Sequence, residues 1–224
     1  VTVQPFAVDS ANNKGYIDRN GSFTFSRLKT GWNLVASSEN RTMTQIAQET
    51  PNITYVSEFY NDINNKTFGT FTVGGSSNSG ITIYMGNASF VYVNSNVLLI
   101  RNFTSNPIHY NITLVTNTST TTGWNAVGFV SSNSSNKTMN QTLGMAGCTN
   151  TTLGGLPTNC ANFTWIGYYD PTLGWWCAGT RGLLALSCGS GKTMRNTTIP
   201  VGFGAMIWNR DNTTLNLTRY GTAN

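Results

Sequence analysis

Hydrophobic and polar residues alternate along short segments of the chain, as they do in half-buried β-strands. Residues 81–85 and 89–93 are rich in β-branched and aromatic side chains and are bounded by Gly or Asn. Residues 109–115 alternate in the same way. Only residues 42–49 and their counterpart 138–144 have a helical pattern, and only for one or two turns. The sequence therefore predicts an all-β protein of antiparallel sheets.

Four short blocks recur in the same order in the second half of the chain. The first block reads TGWNLV at residues 30–35 and TGWNAV at residues 122–127. Four recurrences in order predict an internal duplication, and hence two tandem β-sandwich-like domains, 21–110 and 111–224, after an N-terminal segment, 1–20. The starts of the blocks and of their counterparts are Thr30 and Thr122, Asn40 and Asn136, Asn52 and Asn162, and Thr82 and Thr198.

The repeated Trp32 and Trp124 have two interpretations. An exposed Trp could stack on sugar rings, but a Trp at the start of a strand in both copies more often fills a core, and we expect the core. Trp175 and Trp176 occur only in the second copy. Consecutive strand residues face opposite ways, so one of this pair is the better candidate for a contact surface.

The composition weakens most enzyme classes. Charged residues make up 9% of the chain, the net charge is +5, and His109 is the one histidine. A multi-histidine metal site cannot be built, and a glycoside hydrolase would need two of the eight carboxylates about 5–9.5 Å apart. The string at residues 189–193, GSGKT, has Leu186 where a phosphate-binding loop needs Gly. Asp9 and Asp18 do not have the spacing of an EF-hand loop. We predict no enzyme activity, no metal and no cofactor.

Asparagine is unusually frequent, and 16 of the 29 residues stand in Asn-x-Ser/Thr, where about 7 would be expected by chance from the 53 Ser and Thr. Covalent N-glycans would supply the hydration that the few charges do not. The predicted glycosylation sites are Asn20, Asn40, Asn52, Asn65, Asn87, Asn102, Asn111, Asn117, Asn133, Asn136, Asn140, Asn150, Asn162, Asn196, Asn212 and Asn216.

Dense glycosylation predicts a secreted, extracellular protein, and the chain begins at Val1 as a processed one would. No apolar run reaches the length of a membrane span, and Lys and Arg are too scattered to follow a nucleic acid. Four cysteines in a secreted chain indicate two disulfides, with three possible connectivities, whereas a zinc site would need closer pairs. We favour the two short loops, Cys148–Cys160 and Cys177–Cys188.

The N-terminal segment is apolar, favours a strand and has no counterpart before the second copy. It could fold back as an edge strand of its own domain, or pair with the sheet of a neighbouring copy and so form head-to-tail polymers. Residues 11–15 would then be the linker. The predicted donor side chains are Val1, Val3, Pro5, Phe6, Ala7 and Val8.

A charge-poor, nearly all-β chain that is dense in glycosylation motifs and led by an apolar strand resembles the subunits of archaeal extracellular filaments. It is most similar to the glycosylated threads of thermoacidophilic archaea. The resemblance implies a cell-surface structural protein whose N-terminal strand completes a β-domain of the next subunit. The partner would be a second copy of the chain.

The alternative is an adhesin or carbohydrate-binding surface protein, cellular or viral. Its contact surface would consist of Trp175, Trp176 and the nearby Tyr168 and Tyr169.

Overall fold

The computed structural model of the chain is mostly β-strand, with one short helix among the residues it describes, which confirms the all-β prediction. The residues described are 6–8, 14–16, 22–37, 39–59, 68–103, 111–114, 123–128, 137–138, 163–171, 175–180, 198–200, 202–209 and 213–216.

The strands are short, and the single helix follows the fifth of them. Up to residue 103 the elements are β1 (Phe6–Val8), β2 (Lys14–Tyr16), β3 (Ser22–Leu28), β4 (Gly31–Ala36), β5 (Arg41–Thr42), α1 (Met43–Ala47), β6 (Ile53–Phe59), β7 (Phe68–Thr72), β8 (Thr82–Ile83), β9 (Ala88–Val93) and β10 (Val97–Phe103). The remaining strands are β11 (Asn111–Leu114), β12 (Trp124–Gly128), β13 (Lys137–Thr138), β14 (Phe163–Asp170), β15 (Trp175–Thr180), β16 (Thr198–Ile199), β17 (Gly204–Asn209) and β18 (Thr213–Asn216).

Both halves of the chain have the same strand pairing. The first half contains a four-stranded antiparallel sheet in the order β4-β9-β6-β7, and the second contains one in the order β12-β17-β14-β15. The smaller pairs also correspond, since β3-β10 and β5-β8 are matched by β11-β18 and β13-β16. Even the irregularity is shared, because the register shifts at Ile53/Tyr55 in one half and at Phe163/Trp165 in the other.

The helix α1 forms where a helix was predicted. The Thr42 hydroxyl accepts the Gln45 backbone N–H at 3.2 Å, and the Gln45 side chain accepts the Thr42 N–H at 2.8 Å. This capping box satisfies two backbone donors that a helix start leaves unpaired. Met43 and Ile46 are buried in the main core. The predicted counterpart lies outside the described residues, apart from its first residue, Thr138 in β13.

Both halves contribute to one large apolar core. Leu28, Val91 and Leu99 from the first half lie in the same buried cluster as Val127 and Ile207 from the second. A smaller cluster on the other side of the central strands joins Leu34, Ala88 and Met206. The two sheets are therefore packed against each other rather than separated by a linker.

Two backbone contacts join the halves, and exchanging the halves maps one contact onto the other. In each, the end of the first strand of one sheet meets the residues just before a central strand of the other sheet. Val35 bridges Phe203 and Ala36 N–H donates to the Gly202 carbonyl at 2.9 Å, while Val127 bridges Asn87 and Gly128 N–H donates to the Gly86 carbonyl at 2.6 Å.

Small residues make this approach possible. A Cβ added at Gly204 would lie 2.3 Å from the Ala88 Cβ, and one at Gly128 would lie 2.9 Å from the Ala36 Cβ. Ala88 and Gly204 begin β9 and β17, so they occupy corresponding positions, as Ala36 and Gly128 do at the ends of β4 and β12. The contact is thus close to two-fold symmetric, like an isologous interface.

Candidate functional site

Three aromatic side chains form a row across the first four-stranded sheet. Trp32 on β4 pairs with Tyr92 on β9, which pairs with Tyr55 on β6. The ring centroids of Trp32 and Tyr92 are 5.3 Å apart, and those of Tyr92 and Tyr55 are 5.7 Å apart. Trp32 is 36% exposed and Tyr55 is 39% exposed. Trp32 therefore does not fill the core as expected. We call these three residues the aromatic row.

The strand corner before Trp32 explains the repeated Gly-Trp-Asn block. Gly31 has φ of +103°, a conformation that other residues rarely adopt. The buried Asn33 side chain accepts the Lys29 N–H at 3.0 Å and donates to the carbonyls of Lys29 and Gly31 at 2.8 and 3.0 Å. Gly and Asn thus build the corner, and the Trp between them is left facing outward.

The second half has a matching row. The rings of Trp124 and Trp208 lie 4.9 Å apart at 82°, and both are half-buried. Trp165 pairs with Trp208 in the backbone register, at the position that Tyr55 has in the first half. The Asn125 side chain donates to the Gly123 carbonyl at 2.8 Å, as Asn33 does to Gly31.

Further aromatic residues extend the first row toward the contact between the halves. Phe90 lies 6.4 Å from Trp32 and 5.7 Å from Phe68, and it meets Tyr169 of the second half at 6.2 Å. The positions that share this face of the sheet carry aromatic, aliphatic and hydroxyl side chains, and none is charged. The sequence analysis missed this surface, although Phe90 and Tyr92 alternate in one strand and could have indicated it.

Of the contact surface predicted around residues 168–176, the structure describes the side chains of Tyr168 and Tyr169. Tyr168 is 5% exposed and packs edge-on against Phe203 at 6.2 Å, so it is unavailable to a ligand. Tyr169 is half-buried against Phe90. In the backbone register Trp176 pairs with Tyr169, and Trp175 pairs with Asp170.

Glu58 has a perturbed acid–base equilibrium. Desolvation by burial raises the pKa of its carboxyl to about 7 from the ordinary 4.5. The side chain is half-buried on β6, and no hydrogen bond or ion pair joins it to another described residue. By contrast, Arg41 holds the carboxylates of Glu39 and Glu49.

The N-terminal segment forms a hairpin with the residues that follow it. Phe6, Ala7 and Val8 in β1 pair with Tyr16, Gly15 and Lys14 in β2. Neither strand joins another sheet in the described part of the chain. The predicted linker, 11–15, therefore overlaps strand β2 at Lys14 and Gly15. The donor residues Val1, Val3 and Pro5 lie outside the described residues.

Three predicted glycosylation sites have described side chains. Asn40 is exposed, and Asn52 and Asn87 are half-buried. Asn33 and Asn209 are fully buried, and neither belongs to a glycosylation motif. The structure describes only the backbone of Asn102, Asn111 and Asn216. The other predicted sites lie outside the described residues: Asn20, Asn65, Asn117, Asn133, Asn136, Asn140, Asn150, Asn162, Asn196 and Asn212.

Other sequence predictions also fall outside the described residues. Cys177 lies in β15, whereas the other three cysteines, His109 and residues 189–193 are not described. The described residues contain no group of three or more His, Cys, Asp or Glu side chains placed to hold a metal ion. In the same residues, no helix has both the length and the apolar character needed to cross a membrane.

No protein-family model, curated protein or solved structure matches the chain.

Proposed function

We propose that the chain is a structural, non-enzymatic subunit of a heavily N-glycosylated extracellular filament. The N-terminal strand of each subunit inserts into the next subunit, so the polymer grows head to tail. The observation that carries the proposal is that β1 pairs with β2 alone among the described strands, while the two halves of the chain form sheets without it.

The hairpin supports strand exchange because it has little to hold it closed. Only three residue pairs join β1 to β2, and an isolated two-stranded hairpin is at best marginally stable in water. Opening it frees the apolar residues Phe6–Val8 for a longer ladder elsewhere. Adding a strand to a sheet edge satisfies main-chain hydrogen bonds and buries alternate side chains.

The sheet edges differ in their availability to such a strand. The ends of β4 and β12 are engaged with the other half of the chain. At the outer edge of β7, the carbonyls of Thr70 and Thr72 accept bonds of 2.9 Å from the Asn78 side chain and the Gly75 N–H. We therefore assign the acceptor edge to β15, which pairs with β14 alone among the described strands.

We also infer that the two halves are copies of one duplicated module. The matching strand orders, the matching register shifts and the exchange-symmetric contacts support this inference. Among the described strands, the duplication would leave the pair β1 and β2 without a counterpart, which suits a role between subunits rather than within one.

Electron microscopy of the native protein beside a version lacking Val1–Ser10 tests the proposal. Filaments from the first and unpolymerised subunits from the second are expected. Ala7→Pro removes one ladder donor from β1 and should shorten or abolish filaments, whereas Ala7→Ser keeps the donor and serves as its control. Unpolymerised subunits in every sample would overturn the proposal.

A further inference from the structure

We propose that the aromatic row, Trp32, Tyr92 and Tyr55, is the packing surface for the first sugars of the glycan carried by Asn52 of the same chain. The inference rests on the glycosylation in the proposed function, but not on polymerisation. It assigns an intramolecular ligand to an exposed face that would otherwise be an apolar patch in water.

Asn52 lies at the same end of the sheet as the aromatic row. Its carbonyl accepts the Asn94 N–H at 3.0 Å, one step beyond the pair Ile53 and Val93. Asn94 is two residues beyond Tyr92, which corresponds to about 7 Å along a strand. The first sugars on Asn52 therefore begin within a short distance of the rings.

Asn52 lies in the turn just before β6, beside a register shift in the chain. At that shift Ile53 enters the main core, while Tyr55, two residues further on, belongs to the aromatic row. The Asn52 side chain is half-buried, and none of the hydrogen bonds between described residues uses its amide group. By contrast, the side-chain oxygen of Asn40 accepts the Met85 N–H at 2.9 Å, and a glycan on the Asn40 nitrogen would leave that oxygen in place.

The chemistry of the row suits a neutral sugar. A pyranose ring has an apolar face of C–H groups and a rim of hydroxyls, so it packs against an aromatic ring and excludes water there. The face carries no charge that would need to be desolvated, and the hydroxyls of Ser57 and Thr70, 2.9 Å apart, lie on it between the aromatic groups.

The second half repeats the same spacing of residues. Its glycosylation motif at Asn162 stands three residues before Trp165, just as the motif at Asn52 stands three residues before Tyr55. Trp165 takes its place beside Trp208 and Trp124 in the backbone register. The spacing of a glycosylation motif and aromatic residues thus recurs in the sequence and in the backbone register.

Glycopeptide mass spectrometry of the native protein first establishes whether Asn52 is modified. A double-mutant cycle on the glycosylated chain then compares Asn52→Gln, Trp32→Ala and the double variant by thermal unfolding. Asn52→Gln should lower Tm by roughly 2–5 °C when Trp32 is present, and by less than about 1 °C in the Trp32→Ala background.

Matched controls separate this effect from general damage. Thr54→Ala removes the glycosylation motif together with the long 3.5 Å bond from the Thr54 hydroxyl to the Tyr92 carbonyl, and it should lose the coupling to Trp32 as Asn52→Gln does. Thr54→Ser keeps both the motif and the hydroxyl and should behave like the parent. Asn87→Gln removes a glycan about 17 Å away along β9 and should show no coupling to Trp32. Tyr84→Ala truncates a ring that is 59% exposed but outside the row, and it should show no coupling to Asn52.

Two results would overturn the inference and leave the glycosylated filament standing. One is an unmodified Asn52 in a chain whose other sites carry glycans. The other is a modified Asn52 whose loss costs the same Tm with and without the Trp32 ring. A chain with no glycan at any site would overturn both this inference and the glycosylated part of the proposed function.

Discussion

A single methyl group added at Gly204 should destabilise the contact between the two halves of the chain. The new Cβ would lie 2.3 Å from the Ala88 Cβ, 2.9 Å from the Val127 carbonyl oxygen and 3.3 Å from the Leu34 Cγ. Non-bonded carbon atoms prefer a separation of about 3.5–4.0 Å, so the first distance is short by more than 1 Å. Backbone atoms of one sheet would have to move.

The cost follows from the way cores respond to excess volume. Overpacking by a methylene-sized group typically costs about 1–3 kcal/mol. The new Cβ would meet the Ala88 Cβ and the Val127 backbone oxygen, neither of which can rotate away, so we place Gly204→Ala in the upper part of that range, about 2–3 kcal/mol. For a chain of this size, each kcal/mol lowers Tm by about 2–4 °C. Gly204→Ala should therefore lower Tm by about 4–12 °C.

Thermal unfolding followed by circular dichroism measures the change in Tm, and a second substitution at Ala88 provides a rescue test. Ala88→Gly removes the methyl group nearest to the new Cβ, so the double variant should unfold at a higher temperature than Gly204→Ala alone. Gly80→Ala is the control, because its Cβ would have no neighbour within 4 Å.

Two outcomes would refute the reasoning. If Gly204→Ala unfolds within about 1 °C of the parent, the two sheets do not approach each other as closely as described. If Ala88→Gly lowers the Tm of Gly204→Ala still further, the loss does not arise from the contact between these two positions.

Three further predictions concern polar groups. Because the pKa of Glu58 is raised to about 7 in the folded state, the native protein binds more protons than the unfolded chain between pH 4.5 and pH 7, so its free energy of unfolding falls as the pH rises through that window. The full pKa shift corresponds to about 3 kcal/mol, and partial exposure reduces this to about 1–2 kcal/mol. Denaturant titrations at several pH values measure the free energy of unfolding, and Glu58→Gln should remove its decrease with pH. An unchanged dependence on pH in Glu58→Gln would contradict the assignment. Arg41→Met removes the cation that pairs with the Glu49 carboxylate, which is 7% exposed, and should cost about 3 kcal/mol in the same assay, against less than about 1 kcal/mol for the exposed Arg27→Met as control. The buried Asn209 side-chain oxygen has no hydrogen-bond partner among the described residues, although its Nδ2 donates a long bond of 3.4 Å to the Leu114 carbonyl, and Val93 stands at the corresponding position of the first half. Asn209→Val removes the unsatisfied oxygen together with that long bond, so it should leave Tm unchanged or raise it by a few degrees; a clear fall would show that the Asn209 amide contributes more than its unsatisfied oxygen costs.

Local features of the fold could be predicted from the sequence because they depend on neighbouring residues. Alternation of polar and apolar residues predicted antiparallel strands, and the structure has them at residues 88–93 and 111–114. The helix predicted over residues 42–49 is observed as Met43–Ala47, since Thr42 and Gln45 are spaced as a capping box requires.

The candidate site was harder to predict, because exposure depends on which face of a sheet another layer covers. The sequence repeat marked Trp32 as important but suggested a core role, whereas it lies in an exposed row. Tyr168 and Tyr169 look equivalent in sequence, yet alternation buries the first and leaves the second half-exposed.

By itself, the sequence determined the all-β class, the position of the helix and the residue types at each strand corner, because these follow from periodicity and local hydrogen bonding. Only the tertiary structure decided that Tyr92 and Tyr55 join Trp32 in one row, that Ala88 meets Gly204, and that residues 6–8 pair with residues 14–16 rather than with a four-stranded sheet. These contacts join residues that are distant in sequence or choose among several available partners. Strand register and layer packing set them, and a local pattern does not encode either.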